Sequence, residues 1–342
     1  MRTRVSADNE VVIRAPVIMA GAFLFERRAK MTYESWNKKV QEQVKDFFGI
    51  RFPSREFVKT EPRRLPGFEP VVHPVTPQTD VVSEPKTVKF PKTTVARTEK
   101  HHVKEFVRIF KDITYRHNPW EIWKDFITMF ACALSNAVDK SHYDEREALY
   151  MSLINKYNKS DQPRFSELAA ETVMALDEDQ EQDFLGKIFM ELNLGNDATG
   201  QIFTPYGVCR LMADISMGDI LETVDKQGYV PIHDPCCGAG ATLIAGVHAA
   251  KRQLETSGLN YQNHVFAVAQ DIDATAALMC YIQLSLLGVA GGVKIGNSLT
   301  EPILASDTTE NYWFTPMYFS DVWATRRALR RMDDMMKEAG NK

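Results

Sequence analysis

The chain has 342 residues, enough for two domains and a sizeable core. A net charge of -4, with 25% charged and 44% apolar residues, is ordinary for a soluble globular protein. It excludes a protein that coats nucleic acid through bulk charge, while leaving a local basic face open. The five cysteines (Cys132, Cys209, Cys236, Cys237 and Cys280) are odd in number and lack CxxC pairing. Neither a disulfide framework nor a metal site is expected, and a reducing cytoplasm is the better fit.

Near the start, the apolar run from Ala15 to Phe25 is too short to span a bilayer and runs directly into Glu26-Arg27-Arg28. It reads as a packed strand or helix rather than a signal peptide, and Met31 offers an alternative start. Residues 31–48 form an expected helix, with Trp36, Val40, Val44 and Phe47 on one face. From 51 to 100 the texture changes: 8 of the 16 prolines fall here, which predicts an extended linker. Its Arg and Lys outnumber its Asp and Glu, so it is either a solvated linker or a contact to phosphate.

Residues 101–194 read as a helical domain. Val103, Phe106, Phe110 and Ile113 make one stripe; Trp123, Phe126, Ile127, Phe130 and Leu134 make a second. Asn118-Pro119 is an N-cap and first-turn pair for the second helix. Further helices are expected at about 143–157, 164–177 and 180–192. The aromatic stripes are assigned to the core.

From residue 195 to the end the pattern is α/β. Thr204-Pro205 opens a helix expected to carry Val208, Leu211, Met212 and Ile215 inward. A strand at Tyr229–His233 leads into Asp234-Pro235-Cys236-Cys237-Gly238-Ala239-Gly240, and a helix runs from Ala241 to Leu254. Such a glycine loop lets backbone N–H groups approach a ligand, with the helix N-terminus favouring negative charge. A second strand, His264–Ala269, ends at Gln270-Asp271-Ile272-Asp273 and feeds an apolar helix from Ala274 to Leu287. A third, Val293–Ile295, ends at Gly296-Asn297-Ser298-Leu299. Three β-turn-α steps with ligand-type residues at each strand end imply a doubly wound parallel sheet. An acid ending the second strand suits a ribose diol, and Asn297 suits an adenine edge, so a nucleoside-containing cofactor fits the row.

The segments Gly200-Gln201-Ile202-Phe203-Thr204-Pro205, Asp234 to Gly240, Gln270-Asp271-Ile272 and Gly296-Asn297-Ser298-Leu299, in that order, resemble the N6-adenine DNA methyltransferases. They resemble in particular the modification subunits of type I restriction systems. The resemblance covers residues 195–299 and extends loosely to the helical region before them. It implies a Rossmann-like S-adenosylmethionine-dependent sheet. The donor's carboxylate would be held by Thr204, its methionine part by Asp234, Pro235, Gly238 and Gly240, its ribose by Asp271 and its adenine by Asn297. Each has a plainer alternative: Thr204 as an N-cap, Asp271 as a strand-end turn former, the cysteines as small loop residues.

Two departures from the family stand out. Its [N/D]PP[F/Y] segment, which engages the target amine and stacks on the flipped base, is missing. Thr315-Pro316-Met317-Tyr318 stands at the expected distance, so Thr315, Pro316 and Tyr318 are the altered catalytic candidates. The stretch after Tyr318 is short for the rest of a methyltransferase sheet and reads as one amphipathic helix. Its arginines either touch nucleic acid or face solvent. The implied function is site-specific adenine-N6 DNA methylation of the restriction-modification kind. The alternative is an inactive DNA-binding or regulatory protein whose sheet a partner subunit completes. An RNA or protein methyltransferase is the third reading.

Overall fold

The computed structural model describes residues 95–194, 203–304 and 307–340. The expected helix at 31–48, nearly all of the linker, and Gly200 to Ile202 lie outside them. The first described helix, α1 (Val95–Thr114), begins inside the stretch read as linker.

Helices α1, α2 (Pro119–Asn136), α3 (Tyr143–Ile154), α4 (Gln162–Glu178) and α5 (Phe184–Glu191) form the helical region close to the predicted positions. The Asn118 side chain accepts the N–H of Trp120 at 2.9 Å, and Pro119 takes a first-turn position where a missing N–H costs nothing. Phe106 lies edge-on to Trp123, Phe126 and Phe184, so the aromatic stripes are core. These rings join the sheet's own apolar residues in one hydrophobic core, with α2 packed on the helix that follows the second strand.

The remainder comprises α6 (Tyr206–Ser216), α7 (Ile220–Gln227), β1 (Val230–Asp234), α8 (Ala241–Thr256) and a short α9 (Tyr261–His264). Then come β2 (Val265–Asp271), α10 (Ala274–Leu286), β3 (Ala290–Ile295) and β4 (Tyr312–Phe314). A 3-10 turn (Pro316–Phe319) and the long helix α11 (Asp321–Gly340) close the described chain. The sheet order is β1-β2-β3-β4, with the first three strands parallel and β4 antiparallel to β3. The expected doubly wound parallel sheet is thus met only in part: three strands are parallel, the four-stranded sheet is mixed, and the crossover helices after β1 and β2 lie on one face.

Strand alternation sorts the two faces. Register sets Ile232, Ala267 and Gly291 in one row, and Asp234, Ala269, Val293 and Trp313 in the next row of the same face. That face carries both crossover helices: Gly246 of α8 lies so close to Ile232 that a Cβ there would stand 3.3 Å away. Tyr281 of α10 packs on Trp313, ring centroids 5.4 Å apart. On the opposite face Phe266 packs on Tyr318 and Trp323, and Lys294 pairs with Asp307 at 2.6 Å. Asp234 and Asp271, by the same alternation, fall on the helix-bearing face.

The helix α6 reverses one expectation. Val208, Leu211, Met212 and Ile215 are exposed, Ile215 to 76%, and Cys209 and Ala213 face inward instead. The contact is narrow, Cys209 and Ala213 packing on Ala241, Ala245 and Ala249 of α8. The small residues make the contact because α6 packs on α8 rather than on the sheet. No strand among the described residues lies outside β1. No described helix is long and apolar enough to cross a membrane.

The basic tail helix is docked at the sheet's lower end. Arg326 donates to the carbonyls of Gly228 and Asn263, and Arg327 lies 3.7 Å over the Tyr318 ring. Arg330 and Arg331 are exposed.

Candidate functional site

The parallel strands end together, and the turns that follow β1, β2 and β3 meet above them. Asp234 closes β1, and its carboxylate accepts the N–H of Cys236 at 3.0 Å, folding the chain back after Pro235. Gly238 and Gly240 have φ of +53° and +97°, a region open to glycine and strained for other residues. Space is as restrictive as φ: a Cβ on Gly240 would stand 2.9 Å from the Cys280 sulfur, and one on Gly238 3.1 Å from the Phe203 ring. Cys237 N–H donates to Gln270 at 3.0 Å, and Gly240 N–H to Cys237 at 2.8 Å.

The second turn is tied into the first. One Asp271 oxygen accepts the Gly238 N–H at 2.8 Å, and the other accepts Asp273 N–H at 2.9 Å. Asp273 in turn caps α10 through Ala276 N–H at 2.8 Å. After β3 the Asn297 side chain accepts the N–H of Leu299 at 2.9 Å, and Ser298 comes within 3.9 Å of the Cys236 sulfur.

These turns frame a cleft of about 210 Å³ whose walls include Phe203, Thr204, Gly238, Thr242 and Asp271. Its floor is the N-terminus of α8, where the first-turn amides of Ala241 and Thr242 have no acceptor within the helix. That end suits an anion, while Asp271 offers a carboxylate to hydroxyl donors. Thr204 is exposed and is not an N-cap; Pro205 holds that position, and no side chain caps α6. Thr204, Gly238 and Asp271 line the cleft, and Asp234, Pro235 and Gly240 shape the glycine loop beside it, whereas Asn297 holds its own turn after β3 and is not among the lining residues.

A larger cleft of about 610 Å³ lies among α6, α7 and the C-terminal half of α8, walled by the ion-paired Asp214 and Arg252. It is remote from the strand ends, so the smaller cleft is the better candidate.

Thiol chemistry is disfavoured at Cys237. The Cys237 thiol is pushed up, first by its hydrogen bond with Cys280 and then by burial. All five cysteines are free, and no cluster of three metal-ligating side chains occurs among the described residues.

The structure does not bring Thr315, Pro316 and Tyr318 to this cleft. Thr315 is fully buried at the other end of β3, where its hydroxyl donates to Val289 at 2.7 Å and accepts Gly291 N–H at 3.0 Å. Gly291 pairs with Ala267, four positions before Asp271, or about 13 Å along the strand. Tyr318 is stacked between Phe314, 4.3 Å away, and Arg327. The segment is a clasp fixing β4 and α11 beneath the sheet.

Sequence reading missed three contributors. Phe203 lies inside a motif already singled out and Thr242 just beyond another, and position alone would have found them. Gln283 lacks any local signal: it binds the Ala239 carbonyl at 2.9 Å and the Asp183 carboxylate at 2.7 Å. Burial pushes the Asp183 carboxyl up, against the hydrogen bonds from Gln283 and Gly186.

No curated relative matches the chain. Residues 181–341, which hold the glycine loop, all four strands and the closing helix, match the N-6 DNA methylase family. This part of the chain, with its three strand-end turns, is therefore similar to the N-6 DNA methylases.

Proposed function

We propose that the chain binds S-adenosylmethionine in the strand-end cleft and provides the methyl-donor half of a site-specific adenine-N6 DNA methyltransferase of the restriction-modification kind. The observation that carries this reading is the cradle itself. Two positive-φ glycines leave no room for a side chain, a helix N-terminus opens beneath them, and the Asp271 carboxylate locks the loop. Such a donor set fits an anionic group and a hydroxyl-rich group side by side.

The residues divide the ligand between them. The amides of Ala241 and Thr242, with Thr204, face the amino-acid carboxylate; Gly238 and Gly240 let the methionine part lie against backbone. Asp271 accepts the ribose hydroxyls, and Asn297 reads the adenine. When bound, the cofactor supplies an electrophilic methyl group. The protein contributes orientation and a water-poor cleft toward a DNA adenine extruded from the duplex. A Rossmann-like sheet, open at one edge, is the architecture this reading assumes.

Two features favour a partner polypeptide that completes the sheet and supplies the residues facing the target base. Thr315–Tyr318 serves as a clasp at the far end, and no further strand among the described residues pairs with the outer edge of β1. The test is calorimetric titration with S-adenosylmethionine, followed by tritiated methyl transfer to unmethylated DNA. One-to-one binding is expected, with adenine-N6 label appearing when the partner is present. Absence of binding would remove the reading altogether, and sequencing of labelled DNA would reveal the recognition site.

A further inference from the structure

Gln283, fully buried on α10, ties the glycine loop to a residue 100 positions earlier in the chain. Its amide nitrogen uses both protons, one toward Asp183 at 2.7 Å and one toward the Ala239 carbonyl at 2.9 Å. Its oxygen accepts the Leu185 N–H at 3.2 Å. Asp183 is itself held rigidly: it caps α5 through Gly186 N–H at 2.8 Å, and its carboxylate fills the space that a Cβ on Gly186 would need.

The other end of the bridge matters more. Ala239 O and Gly240 N belong to one peptide plane. Gln283 fixes the oxygen, and Cys237 O accepts the nitrogen's proton at 2.8 Å. That plane immediately precedes α8, so its orientation decides where the free amides of Ala241 and Thr242 point. A loop of two positive-φ glycines has many other conformations open to it, and a fixed peptide plane removes them.

We propose that Gln283 is a positioning residue for the glycine loop, transmitting the placement of α5 to the ligand-facing amides at the start of α8. This rests on the cleft being the S-adenosylmethionine site. The helical region is then part of the binding machinery, although none of its residues lines the cleft.

The full chain tests this in three forms: wild type, Gln283→Met, and Leu284→Ala as a core-cavity control on the same helix. Calorimetry with S-adenosylmethionine gives affinity, and amide hydrogen exchange without ligand reports on Gly240 and Ala241. Gln283→Met is expected to weaken binding about tenfold or more and to speed loop exchange. Leu284→Ala is expected to lower the thermal midpoint while leaving both readouts alone. Wild-type affinity and unchanged loop exchange in Gln283→Met would overturn the proposal, as would equal weakening in Leu284→Ala. If the wild type fails to bind, the cofactor reading falls, and the exchange arm still judges Gln283. Should Gln283→Met not fold, Gln283→Glu replaces it. One acid proton cannot serve both Asp183 and Ala239, so faster exchange at Gly240 and Ala241 is expected in this variant too. Exchange at the wild-type rate would contradict the role.

Discussion

The carboxylate of Asp271 accepts the N–H of Gly238 at 2.8 Å, so the acid that ends β2 also holds the loop that follows β1. One residue therefore serves two purposes: it shapes the glycine loop and presents an acceptor to the cleft. In a parallel sheet the ends of neighbouring strands lie side by side, which makes this cross-link possible across 33 positions of sequence.

Removing that carboxylate should cost affinity twice over. Hydrogen bonds to charged groups contribute about 1.5–3 kcal/mol, so Asp271→Ala should weaken S-adenosylmethionine binding by about tenfold to a hundredfold. Calorimetry measures the loss. Amide exchange at Gly238 should accelerate in the ligand-free variant, separating loop loosening from the lost ligand contact.

Thr315 should behave as a structural residue. Thr315→Val keeps the branched shape and leaves Val289 O and Gly291 N–H buried without their partner. A loss of about 1–3 kcal/mol in denaturant unfolding is expected, with cofactor affinity unchanged. Tyr318→Ala should likewise leave cofactor binding unaltered, since its ring lies beneath the sheet between Phe314 and Arg327.

The two faces of α6 should respond oppositely. Leu211→Lys and Ile215→Lys are expected to change stability by no more than about 0.5 kcal/mol, because both side chains already meet solvent. Ala213→Leu should cost about 1–3 kcal/mol by forcing bulk against Ala245 and Ala249. Denaturant unfolding distinguishes them.

That inversion shows what the sequence could and could not disclose. Period identified most of the helices, though not α7 or the short α9, and the three parallel strands, and Asn118-Pro119 marked a helix start that the structure reproduces. The strand-end residues Asp234, Asp271 and Asn297 were legible because parallel sheets place their ligand-type residues at carboxyl ends. Amphipathicity, however, reports that a helix has an apolar stripe and says nothing about what lies beside it. On α6 the small residues Cys209 and Ala213 make the contact, and the larger ones stay outside. β4 has only three residues, too few for a periodic signal, so its neighbours Thr315 to Tyr318 were assigned by distance along the chain. The Asp183–Gln283–Ala239 chain is a product of tertiary packing, and no local pattern encodes it.

A pH dependence should arise in the helical region. Burial disfavours the charged form of His102, but the hydrogen bonds and charges of Glu171 and Glu178 outweigh it and hold the imidazole above its ordinary 6.5. A group raised on folding stabilises fully below its unfolded value and loses that contribution as pH rises through the folded one. The thermal midpoint should therefore fall above pH 6.5, and His102→Gln should flatten that part of the profile. Calorimetric scans of both proteins across this range provide the comparison.

Calorimetric titration of the chain with S-adenosylmethionine asks directly whether the strand-end cleft binds a methyl donor. One-to-one binding is expected, weakened by at least about tenfold in Asp271→Ala and unchanged in Tyr318→Ala. No binding, or binding indifferent to Asp271→Ala, would contradict it.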